Sequence, residues 1–238
     1  MEALLAVDAG LALAGAGLAE ASPRAARWLV YAAESVVTKS LLFAPWLLVA
    51  WGRGSAATRE RVLAVPASCG LALAATWVVT TLWRRMRPLH PDSGVPEVAA
   101  AFRALGEAHP NWLHWGCFPS DHAAYLTVLG MGLYALDRRV GIAALAVGIG
   151  VACGARMAVG LHYASDVLAG IAIGALAHYS VFQALAGWAA PFFHRLRSVV
   201  EASAWLQLGF AILVVEMAVL FRDLRALDRL LFPVPGAR

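Results

Sequence analysis

Charge is scarce in this chain, and lysine is nearly missing. Only 14% of the 238 residues are charged, against about 25% in soluble domains. With 61% hydrophobic residues, that deficit excludes an ordinary water-soluble domain and fits a chain dissolved in lipid. Lys39 is the single lysine among 19 basic residues, so the basic count is otherwise arginine. The arginines sit beside apolar runs, with no basic stripe and no aromatic platform, which excludes nucleic acid as the expected partner. Guanidinium forks at the ends of apolar segments suit phosphates and lipid headgroups instead. Cysteine is also sparse. Cys69, Cys117 and Cys153 have no metal-ligand spacing, so they give neither a zinc site nor a disulfide framework, and they read as small core residues. A basic leader is lacking too: Met1-Glu2 starts acidic, so no cleavable signal peptide is expected. There is no internal repeat and no low-complexity tail.

What is present is a series of long apolar runs. Each membrane span takes roughly 20 residues, and six segments qualify: Arg27–Trp51, Val62–Trp83, Ser120–Leu136, Val140–Val159, His162–Ala184 and Ala202–Phe221. Helices are required, because a backbone in lipid must satisfy its own hydrogen bonds. The predicted fold class is therefore an all-α integral membrane protein of about six transmembrane helices, forming one domain over residues 1–238. Two further helices are expected outside the six. Ala3–Ala19 is apolar but Gly-rich and interrupted by Asp8, so it lies in the interface or, alternatively, forms a seventh span. Pro96–His109 has helical periodicity in Val98, Phe102 and Leu105 and is expected on the surface. Pro45 is a candidate kink in the first span. Glu34 and Lys39 in that span should face protein or the interface. Gly187–Glu201 reads as a linker. Glu216, in the middle of the sixth span, is expected to pair with a polar group of another span. His90, His109, His114, His178 and His194 are treated as surface or interfacial residues, and Trp112, Trp115 and Phe118 as an interfacial belt.

Six alternating spans put the second-to-third loop and the fourth-to-fifth loop on one side. Those two loops hold nearly all the chemically suggestive residues, in three clusters. Arg84-Arg85-Met86-Arg87-Pro88 ends the second span, and a helix should stop just before such a proline. Phe118-Pro119-Ser120-Asp121-His122 opens the third, with Ser120 or Asp121 as a helix cap. A helix start offers free N–H groups and a positive dipole end, which suits a phosphate. The third cluster runs from Arg156 to His162 and Asp166. These last two are four apart and share a helix face. A carboxylate beside an imidazole fixes its tautomer and stabilises the charge that develops when the ring attacks. Arg156 can bind phosphoryl oxygens, and His122 can give a proton to a departing oxygen. Phosphoryl transfer needs mainly positioning and charge stabilisation. Two histidines and several arginines would supply both without a metal or other cofactor, and no carboxylate cluster at metal-ligand spacing is evident nearby.

These residues resemble the type 2 phosphatidic acid phosphatase superfamily, six-helix lipid phosphatases whose three motifs are KxxxxxxRP, PSGH and SRxxxxxHxxxD. The second motif is matched by Pro119-Ser120-Asp121-His122, with Asp for Gly, and the third by Arg156, His162 and Asp166 at the same spacings. Arg87-Pro88 matches the end of the first, and the motif-bearing core is 80–167. The resemblance implies that His162 is the nucleophile, Asp166 its orienter and His122 the general acid. It also implies that Arg87, Ser120 and Arg156 bind the phosphate. Two positions depart from the pattern. Thr80 stands where the family has its lysine, and Ala155 where it has a serine. Arg85 or Arg84 is expected to compensate for the lysine; both also suit a positive anchor at a span end.

The expected substrate is a phosphorylated membrane lipid whose tail stays in the bilayer. A polyprenyl diphosphate is favoured over phosphatidic acid, phosphatidylglycerol phosphate or a lipid A phosphate, because the Pro-Ser-Asp-His variant resembles bacterial undecaprenyl diphosphate phosphatases. A lipid-to-lipid phosphotransferase with the same site and an inactive lipid-binding or transport protein are the alternatives. Arg53, Arg59, Arg61, Arg138, Arg139, Arg195 and Arg197 fall in the loops opposite the site. By the positive-inside rule those loops are cytoplasmic, so the site faces outward from a bacterial inner membrane.

Overall fold

A computed structural model describes residues 2–93, 95–103 and 116–219. They form helices throughout, with no strand among the described residues. The helices are α1 (Glu2–Ala21), α2 (Pro23–Glu34), α3 (Trp46–Arg53), α4 (Ala56–Leu82), α5 (Pro96–Arg103), α6 (Asp121–Leu136), α7 (Arg138–Leu145), α8 (Gly154–Ala158), α9 (Ala164–Ala186), α10 (Ala190–Ala202) and α11 (Ala204–Ala218). Wider π-turns cover Val37–Leu41 and Ala146–Cys153.

Three stretches are long and apolar enough to cross a membrane: Ala56–Leu82, Arg138–Ala158 and Ala164–Ala186. Two bent pairs add to them if each counts as one span, Pro23–Glu34 with Val37–Arg53 and Ala190–Ala202 with Ala204–Ala218. The protein is thus an all-α membrane protein, with three to five such spans among the described residues. The third expected span, α6, has 16 residues, which rise about 24 Å against a hydrocarbon core of about 30 Å. Its residues Ala123–Gly130 are buried on every side. It is the central helix, sheathed by α4, α7 and α9. The outer helices turn Trp77, Leu82, Leu168, Leu176, Tyr179 and Trp205 outward, as expected of surfaces facing lipid.

Contact between α6 and α9 fixes where the chemistry falls. A Cβ on Gly170 would overlap the Ser120 carbonyl, and one on Gly174 would overlap that of Ala124. Only glycine lets the two backbones meet there. The N-termini of α6 and α9, which carry the second and third sequence clusters, are therefore side by side.

Several details differ from the sequence reading. The first span bends by 51° between Glu34 and Val37, about ten residues before Pro45, which instead precedes the first turn of α3. Side chains take over at the break: Ser35 Oγ accepts from Val37 N at 3.2 Å, and Thr38 Oγ1 donates to Ala32 O at 2.8 Å. Gly187–Glu201 is largely helix α10, not an irregular linker. It turns 110° into α11 and is tied to the start of α4 by Arg59–Glu201 at 2.9 Å and Arg197–Glu60 at 3.1 Å. His178 is buried and stacked on Phe182, with ring centroids 4.1 Å apart, so it is neither a surface nor an interfacial residue. Glu216 is half-buried in α11. The expectations for His109, His114, Trp112, Trp115 and Leu105 lie outside the described residues.

Helix α1 is not among the spanning candidates. Its small residues Ala12, Ala16 and Ala19 pack with Leu89, Phe102, Val159 and Leu161 in a second apolar cluster beneath the loops. The buried face of α5, Val98 and Phe102, joins this cluster, so α5 is docked on α1 as well as lying outside the bundle. Each large side chain fully buried outside the hydrocarbon region contributes about 1.5–3 kcal/mol, which is enough to hold short loops in one arrangement.

Candidate active site

The loop after α4 lies against the loop before α9. Leu89 N donates to Gly160 O at 2.9 Å. Gly160 has φ of +76°, and a Cβ there would press on Val98 and Leu89. A side chain is disfavoured on both counts. The loop before α6 joins the other two. Cys117 N donates to Arg85 O at 3.0 Å, Cys117 Sγ to Met86 O at 3.1 Å, and Thr80 Oγ1 to Phe118 O at 3.1 Å. The Phe118–Pro119 peptide is cis. Ser120 N donates to Asp166 O at 3.0 Å. All three sequence clusters therefore meet at one end of the bundle.

His162 is 3% exposed. Its Nδ1 is 2.9 Å from the Cys117 carbonyl, which can only accept, so Nδ1 carries the proton and Nε2 keeps its lone pair. That Nε2 is buried and has no hydrogen-bond partner among the described residues. Burial holds the His162 pKa below the ordinary histidine value; Arg156 and Arg87 act in the same sense and Asp166 opposes them. The ring is thus kept neutral at neutral pH. Asp166 is fully buried. Its Oδ2 accepts from Tyr163 N at 2.8 Å and lies 3.8 Å from His162 Nδ1, and its Oδ1 accepts from Arg85 at 2.8 Å. The direct anchor of the ring is therefore a backbone carbonyl from another segment, and Asp166 sits just behind it.

Ser120 caps α6, its Oγ accepting from Ala123 N at 3.3 Å, which settles the choice between Ser120 and Asp121 as cap. Asp121 Oδ1 accepts from His122 N and lies 2.7 Å from His122 Nδ1. Asp121, His122 and His162 each present one donor atom, all within 4.8 Å of one another. Such a group can hold a metal ion. It is not the carboxylate cluster whose absence the sequence implies: one carboxylate joins two imidazoles, and the donors come from two segments 40 residues apart, so no spacing along the chain reveals them.

Arg156 is buried, and its NH1 donates to Ala33 O at 3.1 Å and Glu34 Oε1 at 2.9 Å, while its Nε has no partner among the described residues. The break in the first span frees the Ala33 carbonyl that Arg156 takes up. Lys39 is 3% exposed, and its Nζ lies 3.8 Å from Glu34 Oε2. Glu34 and Lys39 thus belong to the rim of the site, a role the sequence left at "protein or interface". Burial, followed by the proximity of Arg156, lowers the Arg87 pKa. Like charges this close are costly unless an anion joins them.

Arg85 is engaged elsewhere. Its NH1 donates to Ser165 Oγ and Asp166 Oδ1 and its NH2 to Asp8 Oδ2, and its plane lies 3.9 Å over the Tyr163 ring. Burial alone would lower its pKa, but the two carboxylates raise it overall. Asp8 is 1% exposed. Sequence reasoning noted Asp8 only as an interruption of an apolar run, although a carboxylate in such a run is itself a signal.

Residues 61–188 match the model of the PAP2 superfamily. A protein of Escherichia coli (strain K12) named "Putative undecaprenyl-diphosphatase YbjG" is 24% identical over 202 residues, covering 82% of this chain and 90% of its own. No solved structure matches the chain. The family model covers more than half of the chain, and the chain belongs to the PAP2 superfamily.

Proposed function

We propose that this membrane member of the PAP2 phosphatase superfamily hydrolyses a lipid phosphate, with a polyprenyl diphosphate the favoured substrate, through a phosphohistidine on His162. The observation that carries the proposal is the buried Nε2 of His162, unpartnered among the described residues, in a ring whose tautomer is set by the Cys117 carbonyl and which lies beside the His122 ring. A lone pair buried without a donor is costly, and an incoming phosphorus gives it a use.

The cycle runs as follows. The Nε2 lone pair forms an N–P bond, while the P–O bond to the lipid portion breaks and the departing oxygen takes the bonding pair. That oxygen receives a proton from His122, whose Nδ1 lies 2.7 Å from Asp121 Oδ1. Neutral His122 then takes a proton from water as the water oxygen attacks phosphorus. The N–P bond breaks, its pair returns to Nε2, and inorganic phosphate leaves. Arg87, Arg156 and the N–H groups at the Ser120-capped start of α6 hold the equatorial oxygens. Thr80 supports the loop that carries Ser120. Arg85 serves Asp166, not the phosphate. These guanidinium groups supply the charge that a metal would otherwise provide.

A polyprenyl diphosphate is favoured on two grounds. The site lies at the ends of lipid-facing helices, and the E. coli relative is named for such a substrate. The basic loops at the opposite end support a site on the extracytoplasmic side.

Phosphate release by purified protein in detergent, measured over a panel of lipid phosphates, tests the proposal. The wild type should turn over, vanadate should inhibit, and His162→Ala should release no phosphate. Wild-type turnover by His162→Ala would overturn the proposal. Product formation that requires an acceptor lipid would replace hydrolysis by transfer.

A further inference from the structure

Asp8 stands outside every motif, yet its carboxylate is among the most heavily bonded groups near His162. It comes from α1, more than 150 residues away in the chain. Its Oδ1 accepts from Ser165 N at 3.0 Å and its Oδ2 from Ser165 Oγ at 2.6 Å. Ser165 occupies the second position of α9, where the N–H has no partner within the helix. Asp8 therefore caps α9 from another helix, where the dipole favours negative charge. The seat is tight: a Cβ on Gly15 would overlap the Ala158 carbonyl, so α1 lies flush against the segment leading from Arg156 to His162.

Arg85 then makes Asp8 part of an electrostatic unit. One guanidinium bridges two carboxylates, Asp166 Oδ1 at 2.8 Å and Asp8 Oδ2 at 3.1 Å. Asp8 and Asp166 are almost completely buried and Arg85 is 22% exposed. With both acids ionised, the trio carries one net negative charge. Arg85 alone with Asp166 would neutralise the carboxylate that stands 3.8 Å behind His162 Nδ1. By sharing Arg85, Asp8 leaves negative charge facing the imidazole. That charge stabilises the ring as it becomes positive in forming the phosphohistidine.

We propose that Asp8 is a positioning residue of the reaction, acting through Arg85 and Ser165 to hold the His162 loop and keep Asp166 negative toward the nucleophile. The inference rests on His162 being the nucleophile. It assigns α1 a part in turnover, which a purely interfacial helix would not have.

The test is steady-state kinetics in detergent on Asp8→Asn, Asp8→Glu, Ser165→Ala and His162→Ala, with the melting temperature of each read from tryptophan fluorescence. Asp8→Asn keeps the shape and removes the charge. Its kcat should fall by about 10- to 100-fold, the range a charged hydrogen bond spans, with KM nearly unchanged because Asp8 does not touch the substrate. Asp8→Glu should recover part of the kcat. Asp8→Asn with wild-type kcat, or a loss that falls on KM, overturns the inference. A Glu variant no better than Asn does so as well. If Asp8→Asn does not fold, Ser165→Ala decides: it removes the two hydrogen bonds of Ser165 Oγ, to Asp8 and from Arg85, while leaving the Asp8–Arg85 contact. A several-fold drop in kcat at constant KM supports the inference, and an unchanged kcat overturns it. Activity in His162→Ala would instead defeat the phosphohistidine reading, whatever the Asp8 variants do.

Discussion

Replacing Asp166 by Asn should slow turnover strongly and, separately, cost the fold some stability. Asp166 Oδ2 lies 3.8 Å from His162 Nδ1. At that separation two unit charges attract by about 4 kcal/mol when the effective dielectric constant is about 20. Arg85, bonded to the other carboxylate oxygen at 2.8 Å, opposes that attraction, and Asp8 offsets part of Arg85. A net loss of about 2–4 kcal/mol in the step that makes the ring positive is therefore expected, or roughly 30- to 1000-fold in kcat. The structural cost is separate. An amide accepts through one oxygen only, so either Tyr163 N or Arg85 NH1 meets an NH2 group, costing about 1–3 kcal/mol. For a chain of this size that amounts to several degrees of melting temperature. The assay is phosphate release in detergent from a polyprenyl diphosphate at saturating concentration, with melting followed in parallel. If Asp166→Asn keeps a kcat within a few-fold of wild type while His162→Ala is inactive, the carboxylate does not stabilise the imidazolium, and its electrostatic role is refuted.

Four other outcomes follow from the geometry. His122→Asn should cost about 10²- to 10⁴-fold on a lipid phosphomonoester, whose alkoxide leaving group needs a proton, and much less on p-nitrophenyl phosphate, whose leaving group needs none; equal losses on both would remove His122 as general acid. Gly170→Val puts a side chain into the Ser120 carbonyl, so overpacking of about 1–3 kcal/mol should lower both the melting temperature and activity, and a variant that melts like wild type would contradict the close α6–α9 contact. The His162 pKa is lowered by burial, so the unfolded chain takes up this proton first. Its contribution to stability is complete above the ordinary histidine value of about 6.5 and is lost as pH falls from there toward the folded pKa; a wild-type melting curve that loses more of its stability between pH 7 and 5.5 than His162→Ala does agrees, and identical profiles count against it. Dialysis against a chelator should leave turnover unchanged, whereas a loss restored by a divalent cation would assign Asp121, His122 and His162 a resident ion.

The parts of this molecule that could be read from its sequence are those in which local pattern and function coincide. Arg87-Pro88, Ser120–His122 and Arg156–His162–Asp166 combine turn and helix-start signals with reactive residue types, although α4 stops at Leu82, well before Pro88, and His162 lies in the loop before α9 and not on the helix face it was expected to share with Asp166. Up to five of the six expected spans, counting each bent pair as one, are legible for the same reason, since apolar length is a local property. What escaped was set by packing between segments. The 51° break near Ser35 has no proline to announce it. It is held by Ser and Thr side chains and by Arg156 taking a freed carbonyl, all visible only once α2 and α8 are adjacent. His178 looked polar and hence peripheral, but its ring is covered by Phe182. The partition of the arginines was equally hidden, because Arg84, Arg85 and Arg87 differ by register rather than by type. Two positions decide that Arg85 meets Asp8 and Asp166 while Arg87 falls beside Arg156. Asp8 supplies the rule for reading relatives of such chains. A lone carboxylate in an otherwise apolar helix is expensive to bury, so its partner is to be sought among the site arginines before the helix is assigned to the membrane surface.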